Sequence, residues 1–102
     1  MAGAHVELSR RAERDLRDLS APDCRRLVRA IEQTLGQDPL PANADDRALS
    51  GRAPWRRLRV GELRVLYRDM TQDELPAGAA HGRRIARIIH RGHLQRAIST
   101  LT

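Results

Sequence analysis

The sequence predicts an α+β fold. An N-terminal strand and a helical hairpin pack on a mainly antiparallel sheet of about four strands, and a short C-terminal helix closes the chain. Three observations predict it. Residues 56–70 read as two strands about a Gly61-Glu62 connection. Residues 10–35 carry two runs of helical apolar periodicity. Residues 83–91 form a further extended run after a loop of small residues. The 102 residues suffice for one domain, residues 1–102, and not for two.

His5, Val6, Glu7 and Leu8 alternate, with Val6 and Leu8 on one face, as in a short strand. Ser9 is a suitable N-cap for the helix that follows, whose stripe is Ala12, Leu16 and Leu19. Arg11 with Asp15, Glu13 with Arg17 and Arg14 with Asp18 are opposite charges four residues apart. Each pair is worth roughly 0.2–0.5 kcal/mol on an exposed helix. Ser20 and Asp23 have the spacing of a capping box, and Pro22 falls in the first turn of a second helix. Cys24, Leu27, Val28, Ile31 and Leu35 give that helix its apolar face, with Cys24 expected as a buried thiol. Gly36 is its expected stop.

Residues 37–54 show no periodicity and read as a long connection pinned by Leu40 and Leu49. The central hairpin follows, with strands at 56–60 and 63–70. Glycine as the first of two connecting residues suits a type II′ turn, which needs φ > 0 there. Arg57 and Arg59 share one face of the first strand, and Leu58 and Val60 share the other. On the return strand Arg64, Leu66 and Arg68 alternate with Leu63, Val65 and Tyr67. Residues 71–82 form a flexible loop. Residues 83–91 are a strand with Ile85, Ile88 and Ile89 apolar. Residues 93–99 form a short helix with Leu94, Ala97 and Ile98 inward.

The net charge is +6, and all 19 basic residues are Arg. Exclusive use of Arg is what a GC-rich genome would produce and by itself says nothing of phosphate. Its placement says more: residues 75–102 hold five Arg and no acid, whereas residues 5–19 are balanced. A clustered basic surface is the footprint of an anionic partner, nucleic acid first. No basic amphipathic helix with aromatic anchors suggests a membrane surface. A lone Cys, no signal peptide and no apolar run of transmembrane length lead us to expect a cytoplasmic protein.

There is no Gly-rich phosphate loop, no thiolate zinc spacing and no Gly-x-Ser-x-Gly elbow, so neither a cofactor nor a metal is expected. RNA supplies its own nucleophile, the 2′-OH. An enzyme cutting it must align that oxygen with the phosphorus, stabilise the phosphorane and protonate the 5′-oxygen. Guanidinium groups serve the second need and stay protonated; His is the better proton carrier. Charged strand faces are common, however. By their pattern alone Arg57, Arg59 and Arg64 read first as a solvated face, and His90 reads at least as well as a structural residue. Trp55 and Tyr67 are expected in the core.

Leu49-x-Gly51, Trp55, Arg57-Leu58-Arg59-Val60-Gly61, Arg64-Val65-Leu66-Tyr67 and Ile89-His90-Arg91, with the early Ala12, Leu16, Leu19 stripe, resemble the RelE branch of the RelE/ParE toxin superfamily. The resemblance runs from His5 to about Ile98. It implies the toxin of a type II toxin–antitoxin pair, a metal-independent endoribonuclease. Such an enzyme cuts mRNA on the ribosome by in-line 2′-OH attack and is neutralised in a hetero-oligomer with its antitoxin. An acidic or amphipathic antitoxin segment would lie across the basic sheet or the helical hairpin.

By the same resemblance Arg57 and Arg59 contact RNA, Arg59 taking part in catalysis. Arg64 binds phosphate, and Arg91 stabilises the transition state. Arg56, Arg87 and His90 are further RNA contacts. The family commonly has Asp-Tyr after the turn glycine, where this chain has Glu62-Leu63. Many members carry a Tyr shortly after the His-Arg pair, where this chain has His93-Leu94-Gln95. His93, or else His90, is expected to take that residue's part. Two alternatives stay open: a ParE-like toxin acting on DNA gyrase, and an inactive module that binds antitoxin or nucleic acid.

Overall fold

The computed structural model describes residues 2–101; Met1 and Thr102, the two ends of the expected domain, lie outside them. Strand β1 (Ala2–Gly3) and strand β2 (His5–Leu8) lead into helix α1 (Arg10–Arg17) and helix α2 (Ala21–Gln33). Short strands β3 (Gln37–Asp38) and β4 (Asp46–Ala48) follow. Then come β5 (Arg56–Val60), β6 (Leu63–Asp69), β7 (Gly82–His90) and helix α3 (Leu94–Ile98). One sheet has the order β2-β7-β6-β5-β4, and β1 pairs with β3 in a small second ladder.

The sheet has five strands rather than about four, because the connection at 37–54 contributes β4 as an edge strand against β5. Three of its four pairings are antiparallel. The exception is β2 beside β7, a parallel pair whose partners are separated in the chain by helices α1 and α2 and by β3 to β6.

Local sequence explains the helices. The Ser9 side chain accepts from the Ala12 N–H at 3.0 Å, and the Ser20 side chain caps Asp23 in the same way. Leu27, Ile31 and Leu35 are buried as the periodicity requires. Val28 is exposed and Cys24 only half-buried, so the inward stripe of α2 is narrower than expected. Of the three i,i+4 pairs expected on α1, only Arg11 with Asp15 is made, at 3.6 Å. The Coulomb gain of the other two is too small to hold long exposed side chains in place.

The central hairpin forms as read. Val60 faces Leu63, and Gly61 has φ +57 with Glu62 at negative φ, the signs of a type II′ turn. A Gly61→Ala substitution should cost about 1–2 kcal/mol, since an L side chain is strained at that φ. Its Cβ would lie 3.4 Å from the Arg26 guanidinium, an ordinary contact, so the cost is one of backbone conformation. Urea unfolding with an unchanged slope would measure the loss.

The sheet buries both faces. Ala12, Leu27, Ile31 and Leu35 from the helical side pack on Leu58, Leu63, Val65, Tyr67, Ile85 and Ile88. On the opposite side Leu66, Ile89 and Ala97 pack with Leu49, Leu94, Ile98 and Leu101. Each fully buried aliphatic side chain is worth about 1.5–3 kcal/mol.

Ile85 and Ile88 are three apart, yet both reach the first core. The register shows why: Leu66 faces Arg87, but Tyr67 faces Ile85. The extra residue, Ala86, is a bulge that resets the alternation of β7. Beyond Leu8 strand β2 stops, and α1 covers the exposed edge of β7. There the Ser9 hydroxyl donates to the Ala86 carbonyl at 2.8 Å, and Asp15 accepts from the Ile88 N–H at 2.9 Å. Leu40 and Leu49 pin the long connection, one to each core.

Candidate nucleic-acid interface

The second face of the hairpin gathers the arginines. Arg57 stands opposite Leu66, and Arg59 directly opposite Arg64, whose other neighbour is Ile89. Like charges facing each other across a ladder are unfavourable, so the pairing is a local cost that stability alone does not explain. Arg91 joins from the end of β7, its N–H donating to the Glu62 carbonyl at 2.8 Å.

Arg64 is the centre of this set. Its Nη1 donates to the Gly61 and Leu63 carbonyls, both at 2.9 Å, and it has no carboxylate partner among the described residues. Its pKa is pushed down by burial first, then by the charges of Arg59, Arg57 and Arg91, with the nearby Glu62 charge opposing them. It nevertheless remains protonated at neutral pH. Four guanidinium groups thus act on one region, and the central one has free donors for an anion.

The structure sets Arg56 and Arg87 apart from these four. Arg56 lies on the helical side of the sheet. Its Nε donates to Asp46 at 3.1 and 3.2 Å and its Nη2 at 2.7 Å, and the Tyr67 hydroxyl donates to the same carboxylate. Burial pushes Tyr67 up, and its bond to Asp46 pushes it further. Arg87 reaches to α1, where its Nε donates to Asp15 at 2.9 Å. Trp55 is buried, with the Arg68 guanidinium 5.6 Å from its ring centre.

His90 and His93 line a groove of about 790 Å³ between α1, the end of β7 and α3. Arg11, Arg87 and Arg96 edge it, and Ile88, Ile89, Ala97 and Leu101 give it an apolar floor. His90 Nδ1 accepts from the Gly92 N–H at 3.4 Å, which starts a 3₁₀ turn over Arg91–His93. His93 is exposed, and its ring makes no capping bond to α3. Sequence reasoning missed the acids that meet these cations. Asp45 reaches Arg57 at 3.3 Å and Arg59 at 3.9 Å, and Glu62 reaches Arg91 at 2.6 Å. The opposite-charge composition of residues 45–47 and 61–64 is the only local signal of them.

Two carboxylates titrate below their usual range. Burial raises Asp46, but hydrogen bonds from Arg56 and Tyr67, with the charges of Arg56 and Arg57, outweigh it. The Arg68 guanidinium, donating to Glu74 through two bonds of 2.7 Å, is the first cause that holds Glu74 at about 2. Both folded values lie below the unfolded ones. Both groups therefore add stability above the unfolded values and lose it as pH falls through the folded ones. The melting temperature should fall between pH 4.5 and about 2, and should fall less in Glu74→Gln. Circular dichroism melts at constant ionic strength would show it.

The fold with these features is that of a known class. The chain matches a chain of the RelB-RelE antitoxin-toxin complex from Methanococcus jannaschii with a TM-score of 0.66 and 18% identity. The match covers 89% of this chain and 96% of that one. It matches a chain of the archaeal RelE-RelB complex from Pyrococcus horikoshii OT3 with a TM-score of 0.65 and 22% identity, over 88% of this chain and 97% of that one. The architecture is RelE-like. No protein-family model and no curated protein matches the sequence. Among the described residues no helix is long and apolar enough to cross a membrane.

Proposed function

We propose that the chain is the toxin of a toxin–antitoxin pair and an endoribonuclease that cuts mRNA, with the arginine face as its RNA site. The observation that carries this reading is the convergence of Arg57, Arg59 and Arg91 on Arg64, a cation without a carboxylate of its own. The RelE-like fold supports it.

In the proposed reaction Arg57 and Arg59 hold the phosphate chain. Arg64 and Arg91 bind the non-bridging oxygens, on which charge grows in the transition state. The 2′-oxygen attacks the adjacent phosphorus in line, the 2′-O–P bond forms and the P–O5′ bond breaks. The 2′-OH proton leaves to solvent water, and the 5′-oxygen takes a proton from protonated His93, with His90 beside it in the groove. The products are a 2′,3′-cyclic phosphate and a 5′-OH. Arg56 and Arg87 hold the framework. A protein antitoxin is the proposed partner, mRNA on the ribosome the proposed substrate, and the cytoplasm the proposed compartment.

Short induced expression in a bacterial host tests the reading, with mRNA 5′-ends mapped and DNA breaks scored in one culture. Growth arrest with new cuts inside coding regions is expected. Intact messages with DNA breaks would point to a gyrase toxin, and normal growth to an inactive binding module. Cuts that persist in a His90→Ala, His93→Ala double variant would remove histidine from the mechanism.

A further inference from the structure

Two kinds of ion pair surround the arginine face. In one kind the carboxylate is enclosed and multiply bonded. Asp46 accepts from Arg56 and Tyr67, and Asp15 from Arg87 and the Ile88 N–H; their side chains are only 11% and 12% exposed. In the other kind the carboxylate stands in solvent. Glu62, 61% exposed, holds Arg91 Nε at 2.6 Å. Asp45, 55% exposed, reaches Arg57 Nη1 at 3.3 Å and Arg59 Nε at 3.9 Å. Glu62 with Arg91 and Asp45 with Arg59 are exposed on both sides, and pairs of this kind are weak and exchange readily. Arg57 is itself only 14% exposed, so at that contact the mobile partner is the Asp45 carboxylate.

We propose that Glu62 and Asp45 are specificity-determining residues of the RNA site. They are displaceable counter-ions that occupy the donors of Arg91, Arg57 and Arg59 until a chain presenting several phosphates takes both places at once. The inference rests on the RNA reading of this face. Arg64 has no carboxylate to evict, so it is the point of entry. A single anion that goes on to Arg91 or to Arg57 must replace an attraction already made, and gains little. A phosphodiester chain spanning both pairs gains Arg64 and all three flanking cations together. Two carboxylates against four guanidinium groups leave the face positive, which attracts the chain. They also lower its adhesion to arbitrary polyanions, a discrimination built on competition rather than on added contacts. The backbone bond from Arg91 N–H to the Glu62 carbonyl stays when the side chain swings away, so exchange does not undo the turn.

The test is the affinity of labelled 2′-O-methyl RNA, which lacks the attacking hydroxyl and is not cut, measured by fluorescence anisotropy at fixed salt. Glu62→Gln and Asp45→Asn should each tighten binding of an octamer about threefold to fivefold, and the double variant by about the product. The preference for an octamer over a trimer should shrink in the double variant. Glu13→Gln makes the same change of net charge on the exposed side of α1 and should have less than about a twofold effect.

Unchanged or weaker binding in the Glu62 and Asp45 variants would overturn the inference, as would equal tightening in Glu13→Gln. Arg64→Ala in the same titration separates the two levels. If it weakens binding while the carboxylate variants do not tighten it, the counter-ion idea alone fails. If it binds as well as the wild type, the RNA reading fails and this inference with it.

Discussion

Arg64→Ala should lower RNA cleavage at least about 100-fold while leaving the protein folded. Removing one preorganised donor from a transition-state charge typically costs about 10²–10³ in rate. Arg64 is the only one of the four converging arginines that makes no ion pair with a carboxylate among the described residues, so the loss should be the largest of the set. Its bonds to the protein are two carbonyl contacts at the hairpin turn. Their removal should cost no more than about 1 kcal/mol of stability. Arg64→Lys should fall between, because an ammonium keeps the charge but cannot bridge two phosphate oxygens. Single-turnover cleavage of a defined message in a translating extract would measure the rates. A urea midpoint near the wild-type value would show that the fold persists. Equal rates for Arg64→Ala and wild type would take Arg64 out of the mechanism.

The largest effect on stability should come from a different arginine. Arg83 is 5% exposed, and its Nη1 donates to the Leu35 and Gln37 carbonyls, both at 2.6 Å. These carbonyls lie just after α2 and in β3, so one side chain on β7 closes the end of the helix and anchors the small ladder to the main sheet. Asp69, 3.4 Å from its Nε, balances the charge. Arg83→Met keeps the length of the side chain but strands two carbonyls. The expected loss is about 2–4 kcal/mol, a large part of a typical domain's 5–15 kcal/mol. Arg83→Lys should recover part of it. Cleavage should survive in the fraction that remains folded, since Arg83 takes no part in the proposed chemistry. A shift in the urea midpoint with constant slope would report the loss. A stability within about 0.5 kcal/mol of wild type would mean that water replaces the guanidinium at these carbonyls.

The contrast between these two arginines shows what a sequence reveals. The hairpin is legible because its signals are local. Gly61 permits the turn, and alternation on either side fixes which residues share a face, so Arg57, Arg59 and Arg64 could be grouped before any coordinates. The capped starts of both helices are legible for the same reason. Strand β4 is not, because the three residues Asp46, Arg47 and Ala48 are too few to carry a period; β5 recruits them through Asp46 and Arg56.

Distant partners are hidden as well. Arg83 meets carbonyls nearly half the chain away, and Arg87 meets Asp15 across the α1–β7 contact. Nothing near either arginine in sequence separates it from Arg91. The charge pairs expected along α1 failed in part for a related reason: local spacing permits such a pair but does not compel it. Asp15, the acid that is held, is also fixed by β7. The Arg59–Arg64 juxtaposition is the reverse case, a local conflict visible in the sequence once the register is known. The proposed function accounts for it.

The chemistry of the cut ends tests the central proposal most directly. Purified protein would be incubated with translating ribosomes and a defined message, and both new termini analysed. Attack by the 2′-oxygen predicts in-frame cuts bearing 5′-OH and 2′,3′-cyclic phosphate ends, absent with Arg64→Ala. An uncut message, or cuts bearing 5′-phosphates, would contradict it.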